Sequence, residues 1–141
     1  MTTAPTPDTP FEHQPRLTGA IIALRPTLAE DWPDLYALAS DPEVWAVHPA
    51  WDRYQEPVFR PYFEEGLASN RALTAIDRAT GAVAGWSRFD DGHALPGEME
   101  IGWTFLGRAY WGGAHNSDMK RLMLDHAFRF VGQVIFRVGE H

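Results

Sequence analysis

EMEIGWTFLGRAYWGGAHNSDMKRLMLDHAFRF, residues 98–130, is the stretch whose reading decides the fold. Glu98–Phe105 alternates and is rich in β-branched and aromatic residues, the pattern of a half-buried strand. Gly112 and Gly113 break it, because glycine adopts backbone angles closed to other residues. Asn116 or Ser117 then serves as an N-cap, with Asp118 in a first turn where the helix dipole favours a carboxylate. Met119, Leu122, Met123, His126, Ala127 and Phe130 follow at the spacing of one helix face. A strand feeding a Gly-rich turn at a helix N-terminus is a physical recipe for binding an anion. Unpaired N–H groups converge there, and glycine lets a phosphate approach them.

Three runs carry a wider likeness: Glu-Ile-Gly-Trp-Thr-Phe-Leu at 100–106, Tyr-Trp-Gly-Gly-Ala-His-Asn at 110–116, and Met-Lys-Arg-Leu-Met-Leu-Asp-His-Ala-Phe at 119–128. Together they resemble the core of the GNAT superfamily of acyl-CoA N-acyltransferases, in the branch of the ribosomal-protein N-terminal acetyltransferases. The family turn reads Gln/Arg-x-x-Gly-x-Gly/Ala. Trp111, Ala114 and Asn116 fall on its three defined positions and none matches strictly. Lys120 stands where the family has an apolar residue. The resemblance implies an α/β (α+β) fold, a mixed and mostly antiparallel sheet with helices on both faces. A whole domain of that family continues beyond its fifth strand into a further helix and two strands, so the expectation is a domain over 17–141 truncated there.

Composition sets the outer bounds. A chain of 141 residues with 45% apolar residues, six Trp and eight Phe suits one folded domain with a real core. The absence of Cys excludes a disulfide framework and a thiolate metal site. No apolar run approaches the roughly 20 residues of a membrane span and no secretory signal is visible, so the expected location is cytoplasmic. A net charge of −7 argues against a nucleic-acid partner. Residues 1–105 hold seven Arg against sixteen carboxylates, whereas residues 106–141 hold five basic and three acidic groups. The acidic excess therefore lies away from the anion-binding turn, which suits an anionic cofactor and a cationic amine.

In chain order, Met1–Arg16 is rich in Thr and Pro and reads as a disordered leader. Ala20–Arg25 is a strand buried on one face. Thr27 and Glu30 form a capping box for a helix carrying Leu28, Trp32, Leu35, Tyr36, Leu38 and Ala39, with Pro33 distorting its first turn. Asp41 caps a short helix through Trp45. Val58–Ser69 is a second helix, with Phe59, Tyr62, Phe63 and Leu67 on its apolar face. Leu73–Asp77, a turn at Arg78–Gly81 and Val83–Phe89 form a hairpin. Val134–Val138 ends the chain as a short strand, parallel to Glu98–Phe105 through the intervening helix, with Val134, Ile135, Phe136 and Val138 on an exposed edge.

The resemblance implies direct acyl transfer from acetyl-CoA to a primary amine of a protein N-terminus or a small molecule. Glu98 and Glu100 lie two apart on the strand and face one side. Glu100 is the preferred general base and Glu98 the second, against the alternative of an ordinary surface pair. Phe105 and Leu106 would offer backbone groups to pantetheine. Trp111, Gly112, Gly113, Ala114, His115 and Asn116 make the turn for the pyrophosphate. Lys120 either adds a point charge or snorkels to solvent. Trp45, Trp51, Tyr54 and Phe59 either shape an acceptor pocket or belong to the core, and His126 is a packing residue. The six His show no metal-ligand spacing, and neither a GxSxG elbow nor a P-loop is present. The expected partners are acetyl-CoA and an amine, with no metal, nucleic acid or membrane, and a homodimer stays open. The alternative function is a catalytically inactive coenzyme-binding module.

Overall fold

A computed structural model describes residues 10–46, 51–91 and 95–136. Its elements run β1 (Leu17–Thr18), β2 (Ile22–Pro26), α1 (Trp32–Ala39), α2 (Glu56–Ala68), β3 (Ala72–Asp77), β4 (Val83–Asp90), β5 (Glu98–Leu106), α3 (Ala114–Ala127) and β6 (Gln133–Phe136). Short 3-10 turns lie at Ala29–Asp31, Pro42–Val44, Trp51–Tyr54 and Arg108–Tyr110. The six strands form one sheet in sequence order, antiparallel from β1 to β5, with β5 and β6 parallel across the α3 crossover. The mixed, mostly antiparallel sheet matches the expected fold class. β1 was not expected, because two residues are too short to show a period.

Each face of the sheet buries its own core. On one side Met119, Leu122 and Met123 of α3 pack against Ile22, Leu24, Leu73, Ala75, Met99 and Ile101. On the other, Leu35 and Ala39 of α1 and Phe59 and Phe63 of α2 close over Ala72, Trp86 and Phe105. The second core is largely aromatic. The Phe63 and Trp86 rings stack at 5.7 Å, and Trp45 meets Phe105 at 5.1 Å. Such pairs add about 0.5–1.5 kcal/mol each beyond their buried area.

The two cores meet β5 at opposite faces, and one extra residue changes which of its side chains serve each. Trp86 pairs with Phe105 and Arg88 with Gly102, so three steps on β5 answer two on β4. Trp103 sits in this bulge at φ 56°. Side chains alternate along a strand, yet Met99, Ile101 and Leu106 join the α3 core while Phe105 joins the aromatic one. The bulge exchanges the faces between Ile101 and Phe105.

The termini of the helices differ from the sequence reading. Gly113 at φ 107° is the N-cap of α3, ahead of Asn116 and Ser117. Asp118 is therefore one turn inside, and it is buried. Its Oδ2 accepts from the Ile21 and Ile22 N–H groups at 2.9 Å each, and its Oδ1 from Arg121 at 2.9 Å. The Thr27–Glu30 box is likewise displaced. The Leu28 N–H donates to Asp31, which Arg25 also grips with two bonds of 2.8 and 2.7 Å. The Thr27 hydroxyl instead accepts from Trp86 Nε1 at 2.7 Å and bonds Thr74. Tertiary partners outcompete the local cap. Pro33 lies at the second position of α1, where a missing N–H costs little.

The leader expected to be disordered is held over its described part. The Phe11 ring lies against Phe89, His126 and Phe130, and Gln14 Nε2 donates to the Ala72 carbonyl at 2.9 Å. His126, buried as expected, bonds the Glu12 carbonyl at 2.8 Å. Residues 1–9 and Val138 lie outside the described residues. Ile135 and Phe136 on β6 are 37% and 40% exposed, as expected of an apolar edge.

Burial alone would push the Asp118 carboxyl up, but the Ile22 and Ile21 N–H groups and the Arg121 guanidinium outweigh it and hold it below the ordinary carboxylate value. A depressed carboxyl contributes stability above its unfolded value, and that contribution is lost as pH falls through the folded one. Asp118→Asn is therefore expected to cost about 1–3 kcal/mol at pH 7. Urea unfolding at a series of pH values should show the gap to wild type shrinking below about pH 4.

Candidate functional site

A cleft of about 310 Å³ opens where β5 ends and α3 begins. One wall is Thr104, Phe105 and Leu106, continued by Trp111, Gly112, Gly113 and Asn116. The facing wall is Glu43, Val44 and Trp45, from the turn that follows α1. Arg108 Nε bonds Asp41 Oδ2 at 2.6 Å and so ties one wall to the other. Asp41 also accepts from the Glu43 N–H at 3.1 Å, capping the Pro42–Val44 turn as the sequence reading expects. The Arg108 guanidinium beside Asp41 holds that carboxyl below its usual value. The cleft has the volume of a small-molecule site and a mostly apolar lining.

The turn has the form its glycines require. Gly112 and Gly113 take φ 118° and 107°, which side-chain-bearing residues adopt only with strain. Among the described residues nothing beyond the chain neighbours lies within 4 Å of where either Cβ would stand, so a ligand can come directly against the backbone. The first helical bond runs from Ser117 N to the Gly113 carbonyl at 2.8 Å. The N–H groups of Gly113, Ala114, His115 and Asn116 thus precede the helical ladder. The helix dipole adds partial positive charge at this point. The Oδ1 of Asn116 is buried without a hydrogen-bond partner among the described residues, and such a group calls for a donor.

Of the residues singled out from sequence, Phe105, Leu106, Trp111, Gly112, Gly113 and Asn116 come together in this cleft. The Phe105 ring belongs to the aromatic core, and its backbone forms the wall. The Leu106 carbonyl accepts from Trp111 Nε1 at 2.9 Å, which folds the indole back onto the strand end. Ala114 and His115 are in the turn but do not line the cleft. The His115 ring turns away to Asp77 at 3.1 Å, braced by Tyr110. Lys120 lies 5.3 Å over the Phe136 ring, on the β6 side, and is outside the lining.

Glu98 and Glu100 do not line the cleft either. Both lie on the face of β5 opposite Met99 and Ile101, as alternation demands. Glu98 is engaged locally, accepting from the Leu95 N–H at 3.0 Å. Glu100 is half-buried, opposite Asp90 on β4 and Ile135 on β6. It stands about 10 Å along the strand from Thr104, one step of advance being lost in the bulge. Among the aromatics, Trp45 lines the cleft, Phe59 is core, and Trp51 is 60% exposed. The sequence reading missed Glu43, Val44 and Thr104. The first two come from a distant turn, and Thr104 is set by the bulge. The Thr104 hydroxyl bonds Ser87 at 2.7 Å.

On the face of Glu100, Arg88 is buried. Its Nη1 and Nη2 bond the Glu65 carboxylate of α2 at 2.8 and 3.1 Å. Its guanidinium lies 3.6 Å over the Trp103 ring. No group of three or more His, Asp or Glu able to hold a metal occurs among the described residues, and no helix there is long and apolar enough to cross a membrane.

A strand with a bulge, a Gly-Gly turn at the start of the following helix and a parallel sixth strand frame the cleft. The family model for the acetyltransferase (GNAT) domain matches residues 22–138, and the chain belongs to that family. The family uses acetyl-CoA as co-substrate. Solved structures share the fold. A GCN5-related N-acetyltransferase from Brucella melitensis is 22% identical with a TM-score of 0.70, over 87% of this chain and 58% of that one. A GNAT-family acetyltransferase from Bacillus anthracis is 16% identical at 0.68, over 81% and 66%. An acetyltransferase from Agrobacterium tumefaciens is 23% identical at 0.61, over 86% and 71%. The chain thus spans less than two thirds of the length of the first of these. No curated protein matches its sequence.

The wall of the cleft leaves no room for one methyl group. A Cβ at Gly85 would run into the Phe105 carbonyl oxygen and the Leu106 side chain. Gly85→Ala is therefore expected to cost about 1–3 kcal/mol by overpacking. Urea unfolding measures it.

Proposed function

We propose that the protein is an acyl-CoA-dependent N-acetyltransferase that moves an acetyl group directly to a primary amine, of a protein N-terminus or of a small molecule. The observation that carries this reading is the cleft in which β5, the Gly112–Gly113 turn and the start of α3 share one wall. The N–H groups from Gly113 to Asn116 suit the pyrophosphate, and the open space at both glycines admits it. The apolar wall at Val44 and Trp45 suits the pantetheine arm. The buried, unpartnered Oδ1 of Asn116 fits an amide N–H of that arm. The wording of 100–106 and 110–116 supports the branch of ribosomal-protein N-terminal acetyltransferases.

Acetyl-CoA supplies an activated thioester carbonyl. The amine nitrogen bonds to that carbon, the carbon–sulfur bond breaks, and the amine's proton passes to a base while the thiolate takes up another. Glu100 is the proposed base. Its strand leads to the cleft, and a chain of several waters would relay the proton over the remaining distance. Backbone N–H groups at the end of β5 polarise the carbonyl, and holding both reactants in one cleft lowers the entropic barrier.

Calorimetric titration with acetyl-CoA should give a dissociation constant in the micromolar range. Gly113→Asp, which strains φ 107° and adds negative charge, should weaken it by about tenfold or more, the equivalent of 1.4 kcal/mol. Glu100→Gln should keep that affinity and lower the transfer rate to a screened amine by about 100-fold. A folded wild type that does not bind acetyl-CoA would overturn the reading.

A further inference from the structure

The bulge in β5 is built around a residue that resists it. Trp103 takes φ 56°, in the left-handed region that glycine and asparagine enter readily and a bulky aromatic does not. A residue held there persists only when its surroundings over-determine it. The surroundings that do so are visible. Arg88, with its side chain 4% exposed, spreads its guanidinium 3.6 Å over the Trp103 ring. Its Nη atoms are fixed by the two oxygens of Glu65, and its Nε has no hydrogen-bond acceptor among the described residues. The ring face is what that side of the guanidinium meets, a cation–π contact strengthened by burial. Gly102, directly opposite Arg88, brings no side chain between them.

The position of the bulge gives this stack its consequence. Thr104, Phe105 and Leu106 follow it immediately and form one wall of the cleft. Without the extra residue, alternation would turn Phe105 towards α3 and Leu106 towards the aromatic core, and the wall would invert. We propose, resting on the acetyl-CoA reading above, that Arg88 is a positioning residue for the acyl-CoA cleft. With Glu65 behind it, Arg88 holds Trp103 left-handed and so keeps Thr104–Leu106 in the register that receives the pantetheine arm.

This account differs from a general packing role in one respect. Glycine at 103 takes the same backbone angles without help, so it should make Arg88 dispensable. The test is a double-mutant cycle of Arg88→Gln and Trp103→Gly, read by calorimetry with acetyl-CoA and with ADP, and by urea unfolding. ADP carries the pyrophosphate and lacks the pantetheine arm. Arg88→Gln should weaken acetyl-CoA about tenfold and leave ADP within about twofold, because the turn itself is intact. Trp103→Gly should bind acetyl-CoA as wild type does, and the double variant should return to within about threefold of it. Arg88→Lys should give only partial recovery, since an ammonium cannot both fork onto Glu65 and stack on the ring.

A double variant as weak as Arg88→Gln, or Arg88→Gln binding like wild type, would overturn the proposal while leaving the acetyl-CoA reading in place. Should Arg88→Gln not fold, folding and binding by the double variant supports the proposal and their loss overturns it. If wild type binds neither ligand, the function proposed above fails by itself. The unfolding cycle then decides on Arg88, through whether Trp103→Gly cancels the loss of stability.

Discussion

One residue more on β5 than on β4 is the constraint that decides which residues of β5 reach each core and which reach the cleft. Before Trp103 the strand feeds the α3 core through Met99 and Ile101. After it, Phe105 enters the aromatic core under α1 and α2. A strand of strict period would send its odd-numbered residues to one core and its even-numbered ones to the other along its whole length. The bulge exchanges the two sets, so that Phe105 faces the aromatic core and Leu106 the α3 core just where the strand reaches the cleft. Trp86, opposite Phe105, shows how closely the rest has adapted. Its ring lies against Phe59, Tyr62 and Phe63 of α2, while its indole N–H is taken by Thr27.

The second anchor is Asp118. Its carboxylate reaches from α3 to the N–H groups of Ile21 and Ile22, at the turn between β1 and β2. The helix that begins with Gly113 is thereby fixed to the far end of the sheet as well as to β5 beneath it. The glycine turn is held between these attachments. On its outer side His115 and Asp77 join α3 to the end of β3, and the His115 hydrogen bond keeps the Asp77 carboxyl below its usual value. The turn is open towards the cleft and tied through Trp111, His115 and Asp118.

Much of this was legible in the sequence where the signal is local. The period of β5, the hairpin of β3 and β4, the amphipathic stripe of α3 and the Gly112–Gly113 break all follow from residues within a few positions of one another. What sequence left hidden is contributed from a distance. Thr27 has the chemistry of a cap, but Trp86 claims its hydroxyl. Asp118 has the position of a dipole partner, but its role is set by residues nearly a hundred positions earlier. A tryptophan in a left-handed conformation is contrary to its own preference and could not be read from residue type. In the site, the wall from the glycine turn was legible, and of the facing wall only Trp45 was singled out, while Glu43 and Val44 were not, since nothing local joins them to β5.

The bond from Asp118 to Ile21 and Ile22 also sets an order of events. Its two ends are 97 and 96 residues apart, so the chain must close a very long loop before the start of α3 is secured. Contacts of such separation are expensive in loop entropy and form late. During synthesis the β1–β2 hairpin emerges early and has to wait, its Ile21 and Ile22 N–H groups bonded to water, until α3 arrives. The cleft accordingly depends on a contact that is closed across most of the chain. A substitution that slows the docking of α3 would reduce the yield of competent protein even where it leaves the finished site unaltered.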